Sequence, residues 1–121
     1  MKIILSDDGS STETIKRIIQ KLPLTTYMNK WGEELYTDDI KIKIDNEKKN
    51  LKQEVAKFDV AFWPDGGAIC LFFGSTPIST GEKILPYSPV KVIGKVTTTA
   101  KEYYTDILRN ENRTRITISK T

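Results

Sequence analysis

Apolar side chains are densest in the middle of the chain, where a turn separates two β-prone runs. The runs are residues 58–63 and 68–73, and the segment between them reads Pro-Asp-Gly-Gly at 64–67. Proline presets φ and glycine accepts positive φ, so these residues predict the turn of a β-hairpin. Successive side chains of the second run point to opposite faces, and neither face is polar. This strand therefore needs cover on both faces, as in a barrel wall backed by a helix or a sandwich interior.

The chain before the hairpin begins with a strand pattern and a helix pattern. Residues 2–6 predict a short strand. Isoleucines and a leucine recur at helical spacing over 11–21, which predicts an amphipathic helix that Pro23 ends. Residues 24–36 are β-prone except at Gly32, where we expect a bulge or the close approach of another strand.

Strict alternation then marks residues 40–44, which predict a strand with its isoleucines inward and Lys41 and Lys43 outward. The two lysines are typical of a solvated face. Residues 45–57 contain too few apolar positions for a core and predict a surface loop, with a helical turn near Leu51 and Val55.

After the hairpin, residues 74–88 are rich in Pro, Gly, Ser and Thr and predict a long ordered loop that caps a barrel mouth. A strand is predicted over 90–96, a second helix over 100–109, and a final strand over 114–119 that pairs near the first strand. Seven or eight strands and two helices predict a mostly β protein. We expect a single domain, 1–121, built as a closed antiparallel eight-stranded β-barrel, since closure removes exposed edges.

Composition excludes several kinds of chemistry. The chain has 121 residues, no histidine and one cysteine, Cys70, which lies in the most apolar strand and is expected to be buried. Without histidine there is no Ser-His-Asp or Cys-His nucleophile and no usual zinc site. The net charge of +3 is compatible with weak attraction to polyanions but does not require it. No apolar run is long enough to span a bilayer, so we expect a cytoplasmic protein with no membrane partner, and the Lys, Ile and Tyr content suits a thermophilic type.

Three segments resemble the small cyclophilin-like proteins of archaea and bacteria. They read W-G-E-E-L-Y at 31–36, F-D-V-A-F-W-P-D-G-G-A-I-C-L-F-F-G-S-T-P-I-S at 58–79, and V-K-V-I-G-K-V at 90–96. The resemblance covers most of the chain. It implies a reduced cyclophilin barrel, and no agreed activity goes with that family.

The same resemblance bears on catalysis. Cyclophilin-type prolyl isomerases use an arginine beside an apolar proline pocket, whereas no arginine occurs here between Ile18 and Leu108. The histidine that lines a typical cyclophilin pocket is missing too. Phe72-Phe73 is similar to the paired phenylalanines of cyclophilins, with Phe73 matching the pocket member. We therefore name no catalytic residue, and a divergent peptidyl-prolyl isomerase acting through the hydrophobic floor alone stays as the alternative function.

The candidate site is an aromatic cleft at one barrel face that binds a peptide or a small molecule. Its predicted residues are Trp31, Glu34, Tyr36, Trp63, Phe73, Thr76 and Tyr87. The alternative is that these aromatic rings serve core and rim packing.

Other sites are less well supported. Adjacent residues on a strand point opposite ways, so Glu33 and Glu34 cannot form a glycosidase dyad, and surface charge or a turn bond explains the pair. No convergent acids are visible, so we predict no metal and no cofactor. The lysines are interleaved with acids, which weighs against nucleic acid as a partner.

Overall fold

A computed structural model describes residues 3–5, 12–44, 51–97 and 113–119. In this part of the chain, seven strands form one antiparallel sheet that curls into a half-barrel, in the order β1-β6-β4-β5-β3-β2-β7. One helix, α1, accompanies them. The elements are β1 Ile3–Leu5, α1 Thr12–Gln20, β2 Leu24–Trp31, β3 Glu34–Thr37, β4 Asp59–Trp63, β5 Ala68–Phe72, β6 Lys91–Val96 and β7 Arg113–Ile118.

The central hairpin is confirmed, with β4 and β5 paired from Val60–Leu71 to Trp63–Ala68. Every residue of β5 is buried, as expected for a strand covered on both faces. Ile69 and Leu71 belong to the large apolar cluster inside the curl of the sheet. Cys70 and Phe72 belong to a second cluster on the outer face. Among the described residues, loops cover that outer face, where Val55, Ile84 and Val90 pack.

The predicted closure of the barrel does not occur among the described residues. The final strand β7 pairs with β2, from Leu24–Ile118 to Asn29–Arg113, while β1 pairs with β6. The two ends of the sheet, β1 and β7, both pack against the inner cluster without pairing with each other. An eighth strand is not among the described elements, and the predicted helix over 100–109 lies outside the described residues.

The prediction of a strand over 40–44 is wrong, although its burial pattern is right. Ile40, Ile42 and Ile44 are buried in the inner cluster, while Lys41 is exposed. Lys41 has φ of +62°, which takes the chain out of the extended region. The backbone oxygens of Ile40 and Lys41 accept hydrogen bonds of 2.8 and 3.0 Å from Lys21 Nζ. A side-chain donor next to α1 therefore takes the place of a neighbouring strand.

Of the surface loop predicted over 45–57, residues 45–50 lie outside the described residues, and the remainder differs from the expectation. Residues 51–57 form no helical turn and instead make isolated bridges, Lys52 to Val90 and Val55 to Ile84. Backbone hydrogen bonds of 2.7 and 2.9 Å join Lys52 and Val90, which holds this polar segment against the loop that precedes β6. Within the described residues, α1 has nine residues, too few for a helix that spans a membrane.

We expect Thr37→Val to lower the free energy of unfolding by about 1–3 kcal/mol, since it strands a buried N–H group. Thr37 is 1% exposed, and its Oγ1 accepts a hydrogen bond of 3.0 Å from the Ile69 backbone N–H, which extends the β3–β5 ladder. Urea denaturation followed by circular dichroism measures the loss. Thr25→Val, at an exposed hydroxyl on β2, is the control and should change stability by less than about 0.5 kcal/mol. Equal effects of the two substitutions would contradict this role for Thr37.

Candidate functional site

Four aromatic side chains and one carboxylate surround a cavity of about 240 Å³ on the outer face of the sheet. We call this cavity the aromatic pocket. Its lining residues are Trp31, Glu34, Tyr36, Trp63, Cys70, Pro86, Tyr87 and Val90. The volume lies below the roughly 300–1,000 Å³ of sites for drug-sized ligands. The pocket therefore suits a small molecule or a single side chain of a larger one.

The β2–β3 hairpin supplies one wall and the acid. Trp31 pairs with Glu34 across the strands, so both side chains lie on the same face, and Tyr36 follows two residues later on that face. Gly32 makes the turn between them with φ of +61°. A Cβ on Gly32 would lie 2.8 Å from the Ser75 backbone oxygen, so another residue there would push apart the hairpin and the loop after β5. This turn fixes where Trp31 and Glu34 stand.

The central hairpin supplies the floor. Cys70 pairs with Tyr36 across β3 and β5, and Ala61 pairs with Cys70 across β4 and β5, so these residues lie side by side on the outer face. Trp63 stands at the end of β4, and its ring lies 6.4 Å from that of Tyr36 at an interplanar angle of 85°. The register of three strands thus brings rings from distant parts of the sequence together.

Residues 84–90, which we call the covering segment, form the remaining wall. Tyr87 lies edge-on to both tryptophans, with ring centroids 5.9 Å from Trp31 and 5.9 Å from Trp63. The Trp63 indole N–H donates a hydrogen bond to Ser88 Oγ. Thr76 Oγ1 donates a hydrogen bond of 2.6 Å to the Leu85 backbone oxygen. The covering segment is therefore tied through Ser88 to β4 and through Leu85 to the loop after β5, while Tyr87 stays 70% exposed.

Glu34 is the electrostatic centre of the pocket. The residue is only 5% exposed, and its Oε1 has no hydrogen-bond partner among the described residues. Burial raises the pKa of Glu34 from 4.5 to about 7, and a hydrogen bond from the Cys70 side chain partly opposes that rise. The carboxyl therefore changes its protonation state near neutral pH.

Cys70 is buried, as the sequence predicts, and it shares the floor with Glu34. Burial raises the pKa of the Cys70 thiol well above its usual value, and the neighbouring Glu34 raises it further. A thiol in this state is a poor nucleophile, because the thiolate is the reactive form. Cys70 thus serves the pocket as a small apolar surface and a hydrogen-bond partner for Glu34.

The structure brings five of the seven predicted site residues together in the aromatic pocket, and places the other two elsewhere. Phe73 is 2% exposed, packs against Phe58 at 6.2 Å, and belongs to the inner cluster. Thr76 is 5% exposed and holds the covering segment without lining the pocket. The surface-charge explanation of Glu34 is wrong, since this residue is buried. Whether the five residues bind a ligand stays a prediction.

Three pocket residues escaped the sequence argument: Cys70, Pro86 and Val90. Cys70 could have been found from the alternation of β5, which puts it on the opposite face from Phe73. Pro86 and Val90 lie in or next to a turn-rich loop, and no periodic signal reports the direction in which such a loop folds back.

The described arginines lie away from this pocket. Arg17 on α1 pairs with Glu13 at 3.1 Å, and the guanidinium of Arg113 lies over the ring of Tyr27 at 4.2 Å. Arg115 borders a separate apolar cavity next to β1 and β7. Among the residues that the structure describes, none places a guanidinium in the lining of the aromatic pocket.

Comparison with known proteins agrees with the half-barrel architecture. The sequence profile of the family described as cyclophilin-like matches residues 1–119, so the chain belongs to the cyclophilin-like family. Among solved structures, it is similar to the solution structure of the hypothetical protein AF2241 from Archaeoglobus fulgidus. The TM-score is 0.75 and the sequence identity 32%, over 98% of this chain and 85% of that one. A comparison with curated proteins gives no match.

Proposed function

We propose that this protein is a binding module that holds a small molecule, or one side chain of a peptide, in the aromatic pocket without efficient catalysis. The observation that supports it is the convergence of four rings on a buried carboxylate that has an unpartnered oxygen. Glu34 lines the cavity while its Oε1 is buried without a hydrogen-bond partner among the described residues, and an unpaired buried polar atom costs about 1–3 kcal/mol. Sites of this kind combine an apolar lining with a few placed polar groups.

The tryptophans make the proposal testable. The chain has two, Trp31 and Trp63, and both line the pocket. We expect compounds of roughly ten heavy atoms or fewer, screened as neutral, cationic and anionic sets, to include at least one that shifts both indole N–H signals in NMR spectra. Tyr87→Ala should weaken that binding, while Tyr27→Ala, at an exposed ring outside the pocket, should leave it unchanged. Shifts scattered over the surface and insensitive to Tyr87→Ala would refute the proposal.

Catalysis of prolyl isomerisation is the other function to examine. The barrier to peptide-bond rotation is about 18–20 kcal/mol, and lowering it requires a placed donor beside the prolyl nitrogen. We expect the protein to leave the cis/trans exchange rate of a Xaa-Pro tetrapeptide unchanged, as measured by NMR exchange spectroscopy. An acceleration that Tyr87→Ala reduces would favour the divergent isomerase instead. Phe73→Ala is a poor probe, because that side chain is buried in the inner cluster.

A further inference from the structure

We propose that the ligand of the aromatic pocket is an organic cation, an alkylammonium group that sits among the rings and pairs with the Glu34 carboxylate. This inference rests on the proposed function and names its substrate class. Three observations support the cation: the burial of Glu34, the aromatic side chains around Glu34, and the size of the cavity.

Glu34 has no positive counter-charge among the described lining residues of the pocket. A buried carboxylate is normally paired or hydrogen-bonded, because its transfer out of water is expensive. Glu34 lies 95% buried with Oε1 unpartnered in the described part of the chain. The titratable groups that face it are Cys70 from β5, Tyr36 from β3 and Tyr87 from the covering segment. None of these three carries a positive charge, and no lysine or arginine is among the described lining residues. In the described part of the chain, the lining therefore offers the ionised Glu34 no positive partner, and a bound cation would supply one.

The aromatic rings that surround Glu34 favour a cation over a neutral group. Ammonium groups are attracted to the faces of aromatic rings, most strongly to tryptophan, and cages of such rings recognise alkylated ammonium ions. Here Trp31, Tyr87 and Trp63 follow one another at interplanar angles of 72° and 76°. Tyr36 continues from Trp63 at 85°. Because neighbouring rings stand nearly at right angles, they do not stack face to face. The space between them therefore stays open as a cavity.

The Glu34 carboxyl disfavours ligands of other classes. An anion would meet the Glu34 carboxylate without any basic side chain from the described lining to offset the repulsion. A purely apolar group would leave Oε1 without a partner, and burial would then favour the protonated acid. A neutral hydrogen-bond acceptor would bind that protonated acid, so its affinity would decline as the pH rises. A cation favours the ionised form of Glu34, so its affinity grows as the pH rises. The direction in which affinity changes with pH therefore distinguishes a cation from a neutral acceptor.

The cavity limits the size of the cation. A volume of about 240 Å³ suits a compact head group and not a large ligand. Two sources share this chemistry: a free alkylated amine and the side chain of an alkylated lysine in a peptide. The experiment therefore includes choline, N-acetyl-trimethyllysine methylamide, and the uncharged choline analogue 3,3-dimethylbutan-1-ol, in which carbon replaces nitrogen.

The experiment is a titration of the whole chain, followed by tryptophan fluorescence and by the two indole N–H signals in NMR spectra. At about pH 8, we expect choline or the lysine derivative to bind at least about tenfold more tightly than the uncharged analogue. The charge of a quaternary ammonium does not depend on pH, so the pH dependence reports the protein alone. Since Glu34 titrates at about pH 7, we expect cation affinity to be roughly tenfold lower at about pH 6 than at about pH 8.

Two variants and a control complete the design. Glu34→Gln keeps the shape of the side chain and should reduce cation affinity at least about tenfold and abolish its pH dependence, while affinity for the uncharged analogue stays the same. Tyr87→Ala, at an exposed ring that threatens the fold little, should weaken cation binding roughly threefold or more. Tyr27→Ala, outside the pocket, should change nothing.

Each contrary result has a distinct meaning. Equal binding of choline and its uncharged analogue, or tighter binding at the lower pH, overturns the cation while leaving a binding pocket in place. No response of either tryptophan to any of the three probes also overturns the cation. The wider compound screen then decides separately whether the pocket binds a ligand at all. If the lysine derivative binds and choline does not, the cation is a peptide side chain.

Discussion

Replacing Glu34 with glutamine is expected to flatten the pH dependence of stability between about pH 4.5 and pH 7. In the folded protein the pKa of Glu34 is about 7, against 4.5 for the unperturbed group. The unfolded chain therefore loses this proton first, and the folded state holds more protons over that window. Stability must then fall as the pH rises, and the loss is complete above about pH 7. Each pKa unit corresponds to about 1.4 kcal/mol, so the loss is about 3 kcal/mol.

Urea denaturation of both proteins at several pH values measures this effect. The free energy of unfolding of Glu34→Gln relative to the natural chain should rise by about 3 kcal/mol from pH 4.5 to pH 8. Glu33→Gln removes an exposed carboxylate next in sequence and controls for the loss of one negative charge. Asp38 and Asp39 do not interfere, because their pKa values are lowered from 3.8 and so act below this window. Parallel curves for Glu34→Gln and the natural chain would show that Glu34 is not buried as described.

Replacing Phe62 with alanine should remove a large part of the total stability. Phe62 is 0% exposed and lies in the inner cluster, on β4, an interior strand of the sheet. Truncation of a buried phenylalanine typically lowers the free energy of unfolding by about 3–5 kcal/mol, through lost transfer energy and the cavity that remains. Domains of this size are stable by only about 5–15 kcal/mol, so the variant should unfold at much lower urea.

Circular dichroism is the appropriate signal for Phe62→Ala, because it reports the sheet and not the surroundings of the two tryptophans. The control is Ile78→Ala, at a side chain that is 45% exposed on the loop after β5. That substitution should change the free energy of unfolding by less than about 0.5 kcal/mol. A loss below about 1 kcal/mol for Phe62→Ala would mean that the ring is not part of a close-packed core.

Local patterns predicted the strands well and their partners less well. The alternation and burial of β5, the turn at 64–67 and the helix over Thr12–Gln20 all follow from short-range signals. Closure of the barrel did not, because the partner of β7 is chosen by long-range packing. The strand expected over 40–44 fails for a related reason: alternation reports which side chains are buried, whereas hydrogen bonding depends on what lies beside the chain. There, Lys21 does.

The candidate site shows the same division. Trp31, Glu34 and Tyr36 lie close in sequence, and the structure places them on one face because β2 and β3 pair as a hairpin, which the bulge expected at Gly32 does not predict. Phe73 was placed in the site by resemblance, although the alternation of β5 continues into this residue and turns it inward with Leu71. Glu34 is predicted as a polar contact, but the cavity that it lines is completed by Tyr87 and Pro86 of the covering segment, whose position is a tertiary feature.

The covering segment is the one wall of the pocket that carries no strand of the sheet. The other walls belong to β2, β3, β4 and β5, whose opposite faces form the interior of the half-barrel. A substitution that shifts those strands disturbs both the pocket and the inner cluster, whereas a substitution in residues 84–90 disturbs the pocket alone. On the proposed binding function, substitutions in this short stretch should therefore change ligand preference while leaving the sheet beneath it intact.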